Sequence, residues 1–131
     1  RGGVKRAQYL EPLTAKKLEV KQKVLVIGAG IAGIYSALEL ADKGYQVYMV
    51  EREPSIGGHM AQLSKTFPTF DCSACILTPK MVAVSQHPKI KILTNAEPIS
   101  VAGSPGDYQV EIKRSPRYVD LEKCTACGKC A

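Results

Sequence analysis

Hydrophobic and polar positions divide the first part of the chain into a strand, a helix and a second strand. Residues 23–27 form a largely apolar run, as expected of a strand that is buried on both faces. Apolar residues then recur at helical spacing from the glycines of residues 28–33 to about Lys43, and Gly44 is suited to end a helix. Residues 45–50 form the next apolar run. The pattern predicts one βαβ unit.

A loop rich in proline and glycine is predicted over residues 51–70, and four further elements are predicted after it. Pro79 suits the first turn of a helix, where a backbone N–H has no intrahelical partner. Pro105 and Gly106 suit the turn of a hairpin. The four elements are a helix over residues 79–86, a strand over 89–94 and two antiparallel strands over 97–101 and 108–113. The first 22 residues are predicted to be a linker with a short turn near residues 7–13.

The composition fits a globular domain, and the net charge of +6 is concentrated at the N-terminal end. Residues 1–23 carry seven Lys or Arg and two acidic residues, a local charge of +5. No recognition-helix pattern accompanies these bases, so we interpret them as part of a solvated linker and expect no nucleic-acid partner. Glycines and polar residues interrupt the apolar stretch 24–41, which argues against a membrane span.

The segment from Gly28 to Gly33 has the Gly-x-Gly-x-x-Gly spacing of a dinucleotide-binding turn. Gly28 permits a tight exit from the strand, Gly30 lets the backbone approach a pyrophosphate, and Gly33 allows the helix to lie close to the strand. The N-terminus of the following helix attracts phosphate. Glu51 closes the second strand 23 residues after Gly28, where a carboxylate binds ribose hydroxyls. These positions predict a dinucleotide site.

The residues that follow Glu51 favour FAD over NAD. The segment 51–58 resembles the flavoprotein pattern in which the ribose-binding glutamate precedes a Gly-Gly pair, here Gly57-Gly58. That pattern is typical of the glutathione-reductase and thioredoxin-reductase class. An arginine in place of Glu51 would have favoured NADP. The predicted fold class is α/β, with a Rossmann-like FAD-binding βαβ unit of a thioredoxin-reductase-like domain and the start of a ferredoxin-like iron–sulfur segment.

Five cysteines occur in three-residue spacings, which is typical of metal and redox sites and predicts a reducing, cytoplasmic setting. Cys124, Cys127 and Cys130 have the spacing of three ligands of a ferredoxin-type 4Fe–4S cluster, and the fourth ligand of that run does not follow in this chain. A zinc site built from two Cys-x-x-Cys pairs is an alternative. The spacing between the pairs far exceeds that of a zinc ribbon, and Cys130 would be left over.

Three interpretations of the pair Cys72 and Cys75 stay open. The pair lies shortly after Gly57-Gly58, about where disulfide-reducing flavoenzymes carry their redox cysteines. It is suited to form a redox dithiol beside the flavin. It is equally suited to ligate a cluster near the flavin together with ligands from elsewhere. The third interpretation is two inert buried thiols.

Taken together, the chain resembles the A-type subunit of the CoB–CoM heterodisulfide reductases of methanogens. The most specific stretch is residues 71–81, and the other stretches that carry the resemblance are residues 9–13, 24–33, 51–60 and 117–130. The resemblance implies that FAD is held by Gly28, Gly30, Gly33, Glu51, Arg52, Gly57 and Gly58. It also implies that a ferredoxin-type 4Fe–4S cluster is held by Cys124, Cys127 and Cys130, and a cluster near the flavin by Cys72 and Cys75.

The same resemblance implies an oxidoreductase of three consecutive parts: residues 1–22 as a linker from an upstream domain, 23–114 as part of the FAD domain, and 115–131 as a truncated ferredoxin-like segment. Electrons from a hydrogenase or a formate dehydrogenase would reach FAD and divide between ferredoxin and the B-type and C-type subunits. Residues 1–131 alone are expected to bind FAD weakly and to be inactive, because so few strands cannot enclose the cofactor.

Three other functions stay open at this point. One is a flavin-dependent dithiol oxidoreductase that uses Cys72 and Cys75 as its redox pair. Another is the flavoprotein subunit of a quinone-interacting complex in sulfate reducers, which is a close relative of the heterodisulfide reductase family. The last is a module with a structural or assembly role and no catalytic one.

Overall fold

The computed structural model describes residues 2–11, 14–15, 17–120, 123–125 and 127–129. A short helix, α1 (Gly2–Ala7), comes first. The βαβ unit then consists of strand β1 (Lys23–Ile27), helix α2 (Ile31–Asp42) and strand β2 (Gln46–Val50). After β2 come a 3₁₀ turn (Gly58–Gln62), helix α3 (Ser73–Gln86), and strands β3 (Ile90–Leu93), β4 (Ala96–Ser104) and β5 (Asp107–Arg114).

The first three strands form one parallel sheet in the order β1-β2-β3. Lys23 pairs with Gln46 and Ile27 with Val50, so β1 and β2 end at the same level. Val50 in turn pairs with Leu93 of β3. All three strands therefore present their carboxyl ends at one edge of the sheet, which is where ligands bind in open parallel sheets. The predicted α/β class with a Rossmann-like unit is confirmed.

Helices α2 and α3 cover the parallel sheet and enclose the hydrophobic core. Ile34 and Ala37 of α2, Met49 of β2, and Leu77 and Val84 of α3 are buried in this core. The helical spacing of the sequence predicts Ile31, Ile34, Leu38 and Ala41 as the apolar face of α2, and all four lie in or against this core. The core holds the glycine turn between β1 and α2 in a fixed position above the sheet.

Strands β4 and β5 form the predicted antiparallel hairpin, and both are longer than the sequence pattern indicated. A register shift lies between Pro98 and Ser100, as expected where a proline cannot donate a ladder hydrogen bond. Most residues of both strands are exposed. The hairpin leaves the sheet at Asn95, whose N–H donates to the carbonyl of Glu53 at 3.1 Å.

The prediction that a helix begins at Pro79 is wrong, because α3 begins six residues earlier, at Ser73. The side chain of Cys72 caps this helix by accepting a hydrogen bond from the N–H of Cys75 at 3.2 Å. The Ser73 hydroxyl donates to the carbonyl of Met60 at 2.5 Å. These two contacts start the helix, and Pro79 lies in its second turn. Cysteine is not among the residues that commonly cap a helix, so the sequence rules favoured the proline instead.

The predicted N-terminal linker contains the six-residue helix α1, all of whose residues are exposed. The turn predicted near residues 7–13 overlaps Pro12 and Leu13, which lie outside the described residues. No helix among the described residues combines the length and the apolar character that a bilayer span requires.

Candidate dinucleotide and redox site

The turn between β1 and α2 shows the close approach that its glycines were predicted to permit. Gly28 has a φ of +92° and donates its N–H to the carbonyl of Val50 at 2.8 Å, which ties the turn to β2. A Cβ on Gly33 would overlap the carbonyl oxygen of Gly28. A Cβ on Gly30 would meet no heavy atom within 4 Å, so the space beside this residue is open. Gly33 is thus closely packed, whereas Gly30 faces open space.

The Gly57-Gly58 pair contacts this turn directly. Gly57 donates its N–H to the carbonyl of Ala29 at 2.7 Å and forms a parallel bridge with Gly30. A Cβ on Gly58 would lie 2.9 Å from the Cα of Gly30, closer than real side chains come. Both glycines of the pair have positive φ, +117° and +56°. The two glycine motifs that the sequence singled out therefore form one continuous surface.

Glu51 is the buried acidic residue at the carboxyl end of β2, with 8% of its surface exposed. Its Oε2 accepts the N–H of Ala29 at 2.7 Å, and its Oε1 accepts the N–H of Glu53 at 3.0 Å. A carboxylate offers about four acceptor positions, so each oxygen retains capacity for a further donor. The carboxylate is held at the glycine turn with its orientation fixed by two backbone donors. The Ala29 donor could not be identified from the sequence, because a backbone N–H carries no residue-type signal.

Two clefts open on either side of Glu51 and Arg52. The larger, of about 340 Å³, lies between the end of β2 and the 3₁₀ turn, and its lining includes Pro54, Gly58 and His59. The smaller, of about 200 Å³, lies between the ends of β1 and β2 and the start of β4. The exposed side chain of Arg52 pairs with that of Glu53 at 3.5 Å. The volumes of the two clefts together are of the order of that of a cofactor-binding pocket.

The N-terminus of α2 adds a positive electrostatic potential at this edge of the sheet. Gly30 is its N-cap and provides no side-chain hydrogen bond to the first turn. The amide groups of that turn have no partners within the helix, and they carry the positive end of the helix dipole. They lie beside the open space at Gly30. The arrangement fits a dinucleotide, with its pyrophosphate at the turn and its ribose hydroxyls at Glu51.

Cys72 and Cys75 are joined by a disulfide at the N-terminus of α3, with their Cα atoms 5.2 Å apart. Both residues are exposed, so the interpretation as two inert buried thiols is wrong. Leu77 and Met81 of the same helix lie beside Gly57, 3.4 Å from the position that a Cβ there would take. Helix α3 therefore attaches the cysteine pair to the second glycine motif. A disulfide supplies no thiolate, so ligation of a metal by this pair requires its reduction first.

Cys124 and Cys127 are both exposed, and Cys130 lies outside the described residues. Hydrogen bonds from the Lys129 N–H and then from the Thr125 hydroxyl lower the pKa of the Cys127 thiol from its usual value. These donors favour the thiolate form, which is the form that binds metal. Among the described residues, no three Cys, His, Asp or Glu side chains converge on one point. The assignment of Cys72, Cys75, Cys124, Cys127 and Cys130 as metal ligands stays a prediction.

A family model of NAD(P)-binding Rossmann-like domains matches residues 26–87. One of the A-type iron–sulfur subunits of CoB–CoM heterodisulfide reductase from Methanopyrus kandleri is 56% identical over all 131 residues, which are 20% of its own length. The A-type subunit of the H₂:CoB–CoM heterodisulfide,ferredoxin reductase from Methanothermobacter marburgensis is 55% identical over 99% of this chain and 20% of its own length. The chain thus spans about a fifth of these relatives.

Solved structures show the same fold. Thioredoxin reductase from T. acidophilum superposes on 70% of this chain and 31% of its own, with a TM-score of 0.55 and 19% sequence identity. At that identity the likeness concerns the fold and nothing further. It agrees with the thioredoxin-reductase-like class that the Gly57-Gly58 pattern indicated.

Proposed function

We propose that this chain, which is 56% identical over its full length to an A-type heterodisulfide reductase subunit, belongs to that family and forms part of an electron-transfer flavoprotein. In this proposal, residues 23–114 contribute to an FAD site and residues 115–131 begin an iron–sulfur segment, with residues 1–22 as the linker that precedes them. Relatives of the chain are named as subunits of an oxidoreductase. The activity, substrates and partners of the complete protein are part of the proposal.

The observation that carries the proposal is the fixed carboxylate of Glu51 at the glycine turn. Its two backbone donors, Ala29 and Glu53, leave one side of each oxygen for the ribose of a dinucleotide. The Gly57-Gly58 contact with Gly30 supports FAD over NAD as that dinucleotide, because the pair belongs to the flavoprotein pattern. The proposed FAD-binding residues are Gly28, Gly30, Gly33, Glu51, Arg52, Gly57 and Gly58.

The proposed iron–sulfur ligands are the cysteines at the C-terminal end, Cys124, Cys127 and Cys130, joined by a fourth ligand from elsewhere. FAD exchanges electrons in pairs or singly and clusters exchange them one at a time, so the two together connect two-electron and one-electron carriers. The thiolate-favouring contacts of Cys127 support a ligand role. By family resemblance we propose that Cys72 and Cys75 ligate a second cluster when reduced.

We propose as partners the B-type and C-type subunits of a heterodisulfide reductase, ferredoxin, and a hydrogenase or formate dehydrogenase as electron donor. The relative from Methanothermobacter marburgensis is named for H₂, the heterodisulfide and ferredoxin, which supports this set. We further propose that electron pairs divide at FAD between ferredoxin and the heterodisulfide. The name of the relative from Methanothermobacter marburgensis, which joins the heterodisulfide and ferredoxin, supports this division.

Serine variants of the cysteines test the proposed ligands. In the complete native protein, purified without oxygen, Cys124→Ser and Cys127→Ser are each expected to lower the iron content by one cluster, because serine is a poor ligand for iron. FAD content is expected to stay unchanged, since these residues lie outside the glycine turns. Iron and acid-labile sulfide per chain are the quantities to measure, with Lys123→Ala, an exposed lysine of the same segment, as the control. Unchanged iron in both serine variants would contradict the assignment.

A second candidate function rests on the disulfide between Cys72 and Cys75. The disulfide would take two electrons and two protons from a reduced flavin and become a dithiol, and the dithiol would return to the disulfide when it passes them to a disulfide substrate. The Cys72→Ser and Cys75→Ser variants separate the two roles. Loss of iron in both supports cluster ligation. Full iron in both, with the two thiols per chain that reduction releases in the wild type no longer released, supports the dithiol enzyme.

A further inference from the structure

Arg117 makes a side-chain clamp on the edge of the sheet that carries the candidate nucleotide site. Its Nη2 donates to the carbonyl of Pro54 at 2.8 Å and also to the hydroxyl of Thr94. The partners are 63 and 23 residues away in the sequence. The Nε of the same guanidinium is buried and has no acceptor among the described residues. Both contacts come from one nitrogen, Nη2, whose two N–H groups can serve two acceptors at once.

The two acceptors belong to the segments that hold the nucleotide carboxylate. Pro54 lines the larger cleft, and Thr94 directly follows β3. Between them, Asn95 donates its N–H to the carbonyl of Glu53, and the N–H of Glu53 donates to Oε1 of Glu51. A continuous series of hydrogen bonds therefore connects Thr94 and its neighbour Asn95 to the carboxylate. Arg117 contacts the segment at Pro54 and the segment at Thr94, which are the two segments that this series of hydrogen bonds connects.

Arg117 also lies shortly before the cysteine run in the sequence. Cys124 is seven positions further along the chain, so an extended chain would place that cysteine at most about 25 Å from the clamp. The next residue, Tyr118, is 94% exposed, which shows that the contact of Arg117 does not extend to its neighbour. Ser115 adds a second attachment, a backbone hydrogen bond to the carbonyl of Asn95 at 2.7 Å.

We propose that Arg117 is a positioning residue that fixes the cysteine run relative to the nucleotide site. The functional consequence, which is electron transfer between FAD and the iron–sulfur cluster, rests on the proposed function. Its structural part, the clamp on Pro54 and Thr94, does not depend on any bound group. The clamp holds the start of the segment at the same edge of the sheet as Glu51, and this sets how closely the centres approach. If the segment were attached flexibly, the distance between the cysteine run and the nucleotide site would be larger on average and would vary more.

The structural part is tested by hydrogen exchange on the complete protein without cofactors. Arg117→Ala is expected to raise the exchange rate of the backbone amides of residues 52–56 and 115–120 about tenfold, because a charge-assisted hydrogen bond is lost. Thr94→Val is expected to raise the same rates by a smaller factor. The double variant is expected to resemble Arg117→Ala, since the two groups act through one contact. Arg114→Ala, at the exposed end of β5, is the control.

The functional part is tested by stopped-flow measurement of electron transfer from reduced flavin to the clusters, in complexes with matched FAD and iron content. We expect Arg117→Ala to slow this step about tenfold or more, since small misplacements of reacting groups have large effects on rate. Arg117→Lys is expected to restore part of the rate. Unchanged exchange in Arg117→Ala would overturn the clamp. Faster exchange with an unchanged transfer rate would overturn the positioning role. Absence of FAD and iron from the native protein would instead contradict the proposed function.

Discussion

Replacing Gly33 with alanine is expected to destabilise the domain by about 3 kcal/mol and to abolish its retention of FAD. Alanine normally stabilises a helix interior by about 1 kcal/mol relative to glycine. Here the added Cβ would overlap the backbone carbonyl oxygen of Gly28, so α2 must move away from β1. That movement would disrupt both the core beneath the helix and the turn at its N-terminus. Urea unfolding and FAD content of the purified protein are the measurements.

Gly30→Ala is the matched variant, and we expect it to separate stability from binding. Gly30 has a φ of −73°, which alanine adopts easily, and a Cβ there would meet no heavy atom within 4 Å. Stability is therefore expected to fall by only about 0.5–1 kcal/mol, which reflects the preference of an N-cap position for glycine over alanine. The Cβ would occupy the space proposed for the pyrophosphate, so FAD affinity is expected to fall at least about tenfold. A Gly30→Ala protein that binds FAD as tightly as the wild type would contradict this location of the phosphates.

Replacing Glu51 with glutamine is expected to weaken FAD binding by about 1.5–3 kcal/mol, which is roughly a tenfold to hundredfold loss of affinity. The amide has a single acceptor oxygen, whereas the carboxylate uses one oxygen for Ala29 and the other for Glu53. In the variant, one of these two N–H groups would face the amide NH₂ and lose its acceptor. Titration of the cofactor-free protein with FAD, followed by the change in flavin fluorescence, gives the affinity.

Glu39→Gln is the control for this second prediction. Glu39 is an exposed acidic residue of α2 that lines neither of the two clefts beside Glu51. The same change in charge at this position is expected to leave the affinity unaltered, because solvent and salt screen an exposed charge away from the site. Equal losses in the two variants would mean that net charge, and not the fixed carboxylate, determines binding.

The sequence predicted the elements whose signals are local and regular. The glycine spacing and the apolar run at residues 23–27 identified the turn, and the helical spacing that includes Ile34 and Ala41 identified the buried face of α2. Glu51 could be located because its distance from Gly28 is a property of the βαβ unit. In each case, the prediction depended on residue types at fixed intervals along a short segment.

The features that the sequence could not predict depend on contacts between distant segments or on backbone atoms. The start of α3 is set by Cys72, which is not a usual capping residue, and by the contact of Ser73 with Met60, a partner 13 positions away in the sequence. The clamp by Arg117 joins residues 63 positions apart, and the side chain of an arginine does not show which carbonyl it will contact. The position of Gly58 against Gly30 is likewise a tertiary contact.

The central claim is that this chain combines part of an FAD site with iron–sulfur ligands. The most direct test is to measure FAD, iron, zinc and acid-labile sulfide per chain in the complete native protein, purified without oxygen. The account predicts bound FAD together with iron and sulfide in the equal proportions of 4Fe–4S clusters. Flavin without iron would contradict the cluster assignment and favour the dithiol enzyme, and zinc without flavin would contradict both halves of the claim.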